Sequence, residues 1–269
     1  MGHAGTLDPL ASGVLVIGVG NGTRILQYLQ SLPKTYRAGL ALGCETDTQD
    51  STGAVVQEAD ASAVTEEAFR SALSRFEGEI FQTPPMYSAV KVGGRRLYDL
   101  ARRGETVHRE GRPITICEAE CLHFGPGARA AAEIRIRCSA GTYVRTLCHD
   151  LGRMLGPGAV MTALEREAVG HFQVADAIRL EDLDPGFPLL PLAEALAHLP
   201  GLVVGPEERS RLAHGQFVPA PETTPDGPIR VLSGDGALLA IGSVRGHGAA
   251  RLVAPEKVFV TTDEASLRS

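Results

Sequence analysis

The chain has 269 residues, 43% of them hydrophobic and 22% charged, and a formal net charge of −6. That length and balance suit one large folded domain or two smaller ones, so a disordered chain is not the default. No apolar run approaches a membrane span in length, and no basic-then-apolar leader is visible.

The first stretch is Gly2-His3-Ala4-Gly5-Thr6-Leu7-Asp8-Pro9-Leu10-Ala11-Ser12-Gly13. Its glycines permit backbone angles that other residues resist. Pro9 fixes its own φ and biases Asp8 toward an extended conformation. On these residues alone Asp8 has two readings. It organises an Asp-Pro turn, or it presents a carboxylate from a stiff loop into a cleft. Val14 to Val19 reads as a short buried strand. In Gly18-Val19-Gly20-Asn21-Gly22 the dinucleotide fingerprint fails, because Thr23 stands where the third glycine belongs. Thr23 is expected to cap a helix to about Leu29.

Lys34 to Leu42 reads as a strand with Tyr36, Ala38, Leu40 and Leu42 on one face. Cys44 to Gly53 reads as a polar, solvated loop, its acids lacking the spacing of a calcium loop. Thr65 to Phe76 is the clearest amphipathic helix. Pro84 and Pro85 stiffen an extended segment that runs to Lys91. Leu97 to Arg103 reads as a helix, and Ile114 to Phe124 and Ala132 to Cys138 read as strands. A helix from about Tyr143 to Leu155 ends at Gly156-Pro157-Gly158. Met161 to Val169 and Phe172 to Val174 are shorter apolar pieces. A short helix at Leu192 to Leu199 precedes a domain boundary near Pro200. A helix at Pro206 to His214 and strands at Ile229 to Leu232, Leu238 to Val244 and Arg251 to Val253 follow. Gly234-Asp235-Gly236 is the turn between the first two of these strands.

The acidic net charge conceals a basic run: Lys91, Arg95, Arg96, Arg102, Arg103, Arg109 and Arg112 against Asp99, Glu105 and Glu110. It is either a phosphate-binding patch or a solvated charged face. The five cysteines are odd in number and contain no CxxC pair, so a disulfide framework or zinc site is not expected and a reducing cytoplasm is.

The opening stretch resembles the active-site loop of the TruB family, the synthases that make pseudouridine at tRNA position 55, with its "GHxGTLDPxAxG" pattern. The resemblance continues in order along the chain. Lys34-Thr35-Tyr36-Arg37 resembles the strand that carries the family's pocket tyrosine. Pro84-Pro85-Met86-Tyr87-Ser88-Ala89-Val90-Lys91 resembles "PPMYSAxK", and Arg112-Pro113-Ile114 resembles "RPI". Ser139-Ala140-Gly141-Thr142-Tyr143-Val144-Arg145-Thr146-Leu147 resembles "SxGTYIRTL". Leu164-Glu165-Arg166 resembles "LRR", with Glu165 as a departure. The C-terminal β unit is similar to the PUA-like module of bacterial members. Family members usually carry a preceding segment with "KPxGxTS". Its absence here is expected to reflect a misplaced start at Met1.

The resemblance implies roles. Asp8 is the essential carboxylate, Arg145 the cation that serves its charge, and Tyr36 the aromatic that stacks on the everted uracil and assists at C5. His3 contacts the RNA near the flipped base, Tyr143 walls the pocket and Leu164 lines it. Lys91, Arg102 and Arg103 are expected to meet tRNA phosphates. Without the resemblance, Arg145 reads as a surface helix arginine and Leu164 as core, while Tyr36 and Tyr143 stay open between core and a pocket aromatic.

The expectation is therefore an α/β protein of the α+β type. Residues 1–199 form a synthase domain with a mixed, largely antiparallel sheet flanked by helices. Residues 200–269 form a small β-rich PUA-like RNA-binding domain. The expected activity is isomerisation of uridine to pseudouridine in the T-loop of tRNA, without metal or cofactor. The expected state is a cytoplasmic monomer that binds the tRNA T-arm and no membrane. One rival is an inactive RNA-binding or RNA-folding protein that keeps the fold. The other is a glycoside hydrolase, for which the matched motifs supply no second carboxylate.

Overall fold

The computed structural model describes residues 1–184, 186–246 and 251–260. The chain divides into two compact units. One comprises Gly5–Val16 and Gln30–Ala177; the other comprises Met1–Ala4, Ile17–Leu29 and the chain from Ile178.

The first unit is built on a seven-stranded sheet. In chain order its strands are β1 (Ala11–Gly13), β2 (Lys34–Leu42), β3 (Gly78–Gln82), β4 (Arg112–Gly125), β5 (Ala131–Cys138), β6 (Ala159–Val169) and β7 (Phe172–Gln173). The spatial order is β7-β6-β2-β5-β4-β3, and β1 lies beside β6. Only the β1–β6 pairing is parallel, so the sheet is mixed and largely antiparallel, as the sequence led us to expect.

Period-two alternation fixes which side is buried. On β2, Ala38, Leu40 and Leu42 point inward; on β5, Ala132, Ile134, Ile136 and Cys138 do so while Arg135 and Arg137 face out. Helices α1 (Glu66–Ser74) and α3 (Val144–Leu155) pack on this sheet and on each other through Phe69, Leu73, Leu147 and Leu151. Thr65 caps α1, its hydroxyl accepting the Ala68 N–H at 3.2 Å. Between these helices in sequence, Lys91–Val92 and Arg95–Arg96 form a small hairpin, and α2 (Leu97–Ala101) follows it. Gly93 and Gly94 both have positive φ, as the tight turn between such strands requires.

The second unit carries a five-stranded sheet of β8 (Gly201–Val203), β9 (Val218–Pro219), β10 (Pro228–Leu232), β11 (Leu238–Arg245) and β12 (Leu252–Val258). Its order is β8-β10-β11-β12-β9. Ile229, Val231, Leu239 and Val253 bury against Leu212 of α4 (Pro206–Ala213). The last strand runs past its expected end at Val253, through Pro255 to Val258. A proline is tolerated there because the ladder shifts register beside its partner Gly242.

Two expectations are corrected. Val14 to Val19 is not one buried strand. The Val14 N–H bonds to the Arg166 carbonyl at 2.9 Å, and the β1 pairing ends there. Beyond it Leu15, Ile17 and Val19 are exposed, and only Ile17–Gly18 pairs, with Gly2–His3. Thr23 does not cap a helix. It lies inside the 3-10 turn Gly20–Ile25, where its hydroxyl donates back to the Gly20 carbonyl at 2.8 Å. The α-helix proper is Leu26–Gln30.

Candidate active site

Asp8 sits on the loop that leads into β1. The Ala11 N–H bonds to the Asp8 carbonyl at 2.9 Å and closes the Asp-Pro turn, and forming that turn leaves the side-chain carboxylate uncommitted to it. The side chain is one-third exposed, at 32%. Gly13 ends the loop with φ +99°, and a Cβ there would lie 2.3 Å from the Arg166 carbonyl oxygen. Only glycine allows β1 to approach β6 this closely.

Arg145 lies in the first turn of α3 and is only 5% exposed, not a surface arginine. Its Nε stands 3.7 Å from the Asp8 Oδ2. Its Nη1 stands 3.3 Å from the Asp50 Oδ2, and its Nη2 donates to the Tyr87 carbonyl at 2.5 Å. One planar guanidinium thus joins three separate segments, a geometry that lysine cannot reproduce.

Asp50 is itself pinned. Its Oδ1 accepts from the Thr48 hydroxyl at 2.8 Å, the Thr52 N–H at 3.0 Å and the Thr52 hydroxyl at 2.5 Å. Burial alone would push its carboxyl upward. The hydrogen bonds from Thr52 and Thr48, with the Arg145 cation, outweigh burial and hold it below the ordinary carboxylate range.

Tyr36 is on the inward face of β2, directly opposite Arg166 of β6. Burial pushes its hydroxyl above the ordinary phenol value. The Arg166 guanidinium opposes that rise, and the Asp8 carboxylate adds to it. Leu164, two residues before Arg166 on the same face, is 8% exposed and pairs with Ala38 on one side and Ala11 on the other. Tyr143 is the N-cap of α3. Its N–H donates to the Gln82 side-chain oxygen at 2.8 Å, and its carbonyl accepts from the Gln82 amide nitrogen at 3.0 Å.

The other residues expected to touch RNA lie on other elements. His3 lies in the strand Gly2–His3 of the second unit. Lys91, Arg102 and Arg103 are exposed around the hairpin and α2. Arg96 and Arg102 flank the Tyr98 ring at 5.7 Å and 5.5 Å from its centroid, which stiffens that basic surface.

Sequence reasoning missed Asp50, Gln82 and Arg166 as parts of the site. The Cys44–Gly53 stretch is corrected most: Glu45, Thr46 and Asp50 are buried, not solvated. Glu45 accepts from Arg153 at 3.0 Å, and Cys44–Thr46 pairs with Val55–Glu58. Polar composition hid this, because the partners of these acids lie about a hundred residues away on α3. A better signal was the Thr-x-Asp-x-Thr spacing at Thr48, Asp50 and Thr52, which folds a local hydrogen-bonded turn around one carboxylate. Among the described residues no group of three or more His, Cys, Asp or Glu side chains is placed to hold a metal ion.

Residues 1–144 match the model of the TruB family pseudouridylate synthase N-terminal domain, and residues 145–187 match the tRNA pseudouridylate synthase B C-terminal domain. The chain belongs to the TruB family. Among curated relatives, the tRNA pseudouridine synthase B of Symbiobacterium thermophilum is 50% identical over 80% of this chain and 72% of its own. That of Heliobacterium modesticaldum is 40% identical over 99% of this chain and 88% of its own. Among solved structures, an H/ACA RNP bound to a substrate RNA containing 2'-deoxyuridine superposes with TM-score 0.71 at 26% identity, covering 98% of this chain and 77% of that one. An archaeal box H/ACA sRNP complex gives TM-score 0.70 at 26% identity, covering 98% and 78%. In this TruB-family chain the matched N-terminal model ends at Val144, so Asp8 and Tyr36 fall within it and Arg145 opens the second match.

Proposed function

We propose that this TruB-family chain isomerises uridine to pseudouridine at position 55, in the T-loop of tRNA, with Asp8 as the essential carboxylate. Isomerisation of uridine in tRNA is the activity named for the relatives that match most of its length. The observation that carries the assignment to Asp8 is its carboxylate 3.7 Å from a buried arginine, on a loop held rigidly at its base and open at its tip.

The reaction breaks the bond from ribose to the uracil nitrogen, rotates the base and rejoins it through C5. It needs no electron acceptor and no second substrate. A carboxylate serves it by attacking the sugar or the uracil, or by taking a proton from the sugar. Each route needs an ionised Asp8, and Arg145 supplies the opposite charge that orients it. The uridine must leave the RNA stack, at a cost of a few kcal/mol. Tyr36 offers an aromatic face in exchange, worth about 1–3 kcal/mol. Its hydroxyl, kept protonated by burial, assists when the C5 proton leaves. Tyr143 walls the pocket and Leu164 closes its apolar side.

Lys91, Arg102 and Arg103 meet phosphates of the T-arm, and His3 contacts the RNA beside the flipped base. Residues 200–269 act as a PUA-like RNA-binding module. The five cysteines are odd in number and contain no CxxC pair, which supports work in a reducing cytoplasm. No described helix is long and apolar enough to cross a membrane.

Tritium release from tRNA transcripts labelled at uridine C5 tests the target. The wild-type transcript should release one tritium per molecule, and a transcript with cytidine at position 55 should release none. Equal release from both would move the target elsewhere.

A further inference from the structure

Arg166 is the largest of the fully buried side chains, and its guanidinium makes no ion pair among the described residues. Burying such a cation is costly unless its N–H groups are satisfied. The carbonyls that satisfy them belong to the Asp8 loop. Nη2 donates to the Gly5 carbonyl at 3.1 Å and Nη1 to the Thr6 carbonyl at 3.4 Å, at the loop's entry. Nε donates to the Val14 carbonyl at 2.7 Å, at its exit. The backbone repeats the link, since the Arg166 carbonyl accepts the Val14 N–H at 2.9 Å. On the other side of β6, Arg166 stands directly opposite Tyr36.

We propose that Arg166 is a positioning residue: its guanidinium clasps the two ends of the Asp8 loop and sets that loop in register with Tyr36. This rests on the reading of Asp8 as the essential carboxylate. The loop between Gly5 and Val14 has no ladder of its own before β1. A single forked cation joins its ends, so the position of Asp8 relative to Arg145 and Tyr36 depends on that fork. A lysine keeps the charge but is a point donor on a flexible stem, and it cannot bond both loop ends in one plane. Reacting groups displaced by about 1 Å lose on the order of 100-fold in rate.

The test uses the full chain with the substitutions Arg166→Lys, Arg166→Gln and Asp8→Asn. Single-turnover tritium release, tRNA dissociation constant and thermal unfolding are measured for each. The clasp predicts that R166K folds cooperatively and binds tRNA within about threefold of the parent, yet reacts about 100-fold more slowly. It predicts that R166Q, which keeps two donors in a plane, reacts no faster than R166K. R166K reacting within about threefold of the parent would overturn the clasp. So would a parallel loss of binding and rate, or loss of the cooperative transition in both variants, since either makes Arg166 a general support of the fold. The D8N arm separates the two readings. Turnover by D8N removes the Asp8 assignment whatever R166K does, whereas an inactive D8N beside a fully active R166K removes the clasp alone.

Discussion

Arg145 and Asp50 form an ion pair at 3.3 Å in which both side chains are almost completely buried, at 6% and 4% exposure. The same guanidinium reaches the more open Asp8 with its Nε at 3.7 Å. Asp50 thus holds the cation that faces the carboxylate proposed to do the chemistry. A residue on a separate loop, far from Asp8 in sequence, sets the orientation of its partner.

Removing the charge of Asp50 while keeping its shape should therefore harm turnover more than binding. In Asp50→Asn the Thr48 and Thr52 hydrogen bonds can persist, but Arg145 loses its buried counter-charge. Charge-assisted hydrogen bonds of this kind are worth about 1.5–3 kcal/mol, so single-turnover rates should fall roughly 10- to 100-fold with tRNA affinity little changed. An unchanged rate would mean that Arg145 keeps its place without Asp50.

Arg145→Lys should fare no better. Lysine cannot reach Asp8, Asp50 and the Tyr87 carbonyl together, and it leaves at least one buried acceptor unpaired. We expect a similar or greater fall in rate, together with about 1–3 kcal/mol of destabilisation by chemical denaturation, because the charge is kept but a buried acceptor is left unpaired. A variant as stable as the parent would show that water enters and satisfies the vacated acceptors.

Gln82 should matter through Tyr143. Its side-chain amide makes two hydrogen bonds to the Tyr143 backbone at the start of α3, and the residue is 3% exposed. Gln82→Ala removes both and buries an unpaired N–H and carbonyl, for an expected cost of about 2–4 kcal/mol in denaturant titration. A cost under about 0.5 kcal/mol would show that water satisfies both groups.

The acid limb of stability should carry the mark of Asp50. Its carboxyl is held below its ordinary value in the folded chain, so it contributes stability that is fully present above the unfolded value near 4. That contribution disappears as pH falls through the folded value, because the unfolded state takes up the proton first. D50N lacks the group, and its stability should fall less steeply than that of the parent below about pH 4. Parallel acid limbs would place the stabilising carboxylates elsewhere.

The exposed cations around α2 give a separate prediction. Replacing Arg102 and Arg103 with neutral residues should weaken tRNA binding. The slope of log affinity against log salt should also become shallower, by up to about 0.9 for each phosphate these cations neutralise and by less where the RNA is single-stranded. An unchanged slope would show that these residues lie off the RNA path.

Much of the frame was legible in the sequence. The alternation in Lys34–Leu42 and Ala131–Cys138 showed two strands of the central sheet, and the apolar stripe of Leu147, Leu151 and Leu155 showed α3. Asp8, Tyr36 and Arg145 were singled out through the motif resemblance, not through periodicity, and the Arg145 Nε does stand 3.7 Å from the Asp8 carboxylate. What stayed hidden were groups whose meaning depends on distant partners. Asp50 reads as loop chemistry until Arg145 is placed beside it. Arg166 entered only as part of the Leu164-Glu165-Arg166 resemblance, and it takes the Gly5, Thr6 and Val14 carbonyls to explain its burial. Val14 to Val19 misled in the opposite direction, because an apolar run signals burial but not whether a neighbouring strand is there to pair with it.

The central claim is that Asp8 acts on a uridine of tRNA, and single-turnover tritium release by Asp8→Asn tests it most directly, with tRNA affinity measured on the same preparation. The account predicts no release above background while affinity stays within about threefold of the parent, since asparagine keeps the shape of the side chain and loses its charge. Release at a substantial fraction of the parental rate, with binding intact, would contradict it.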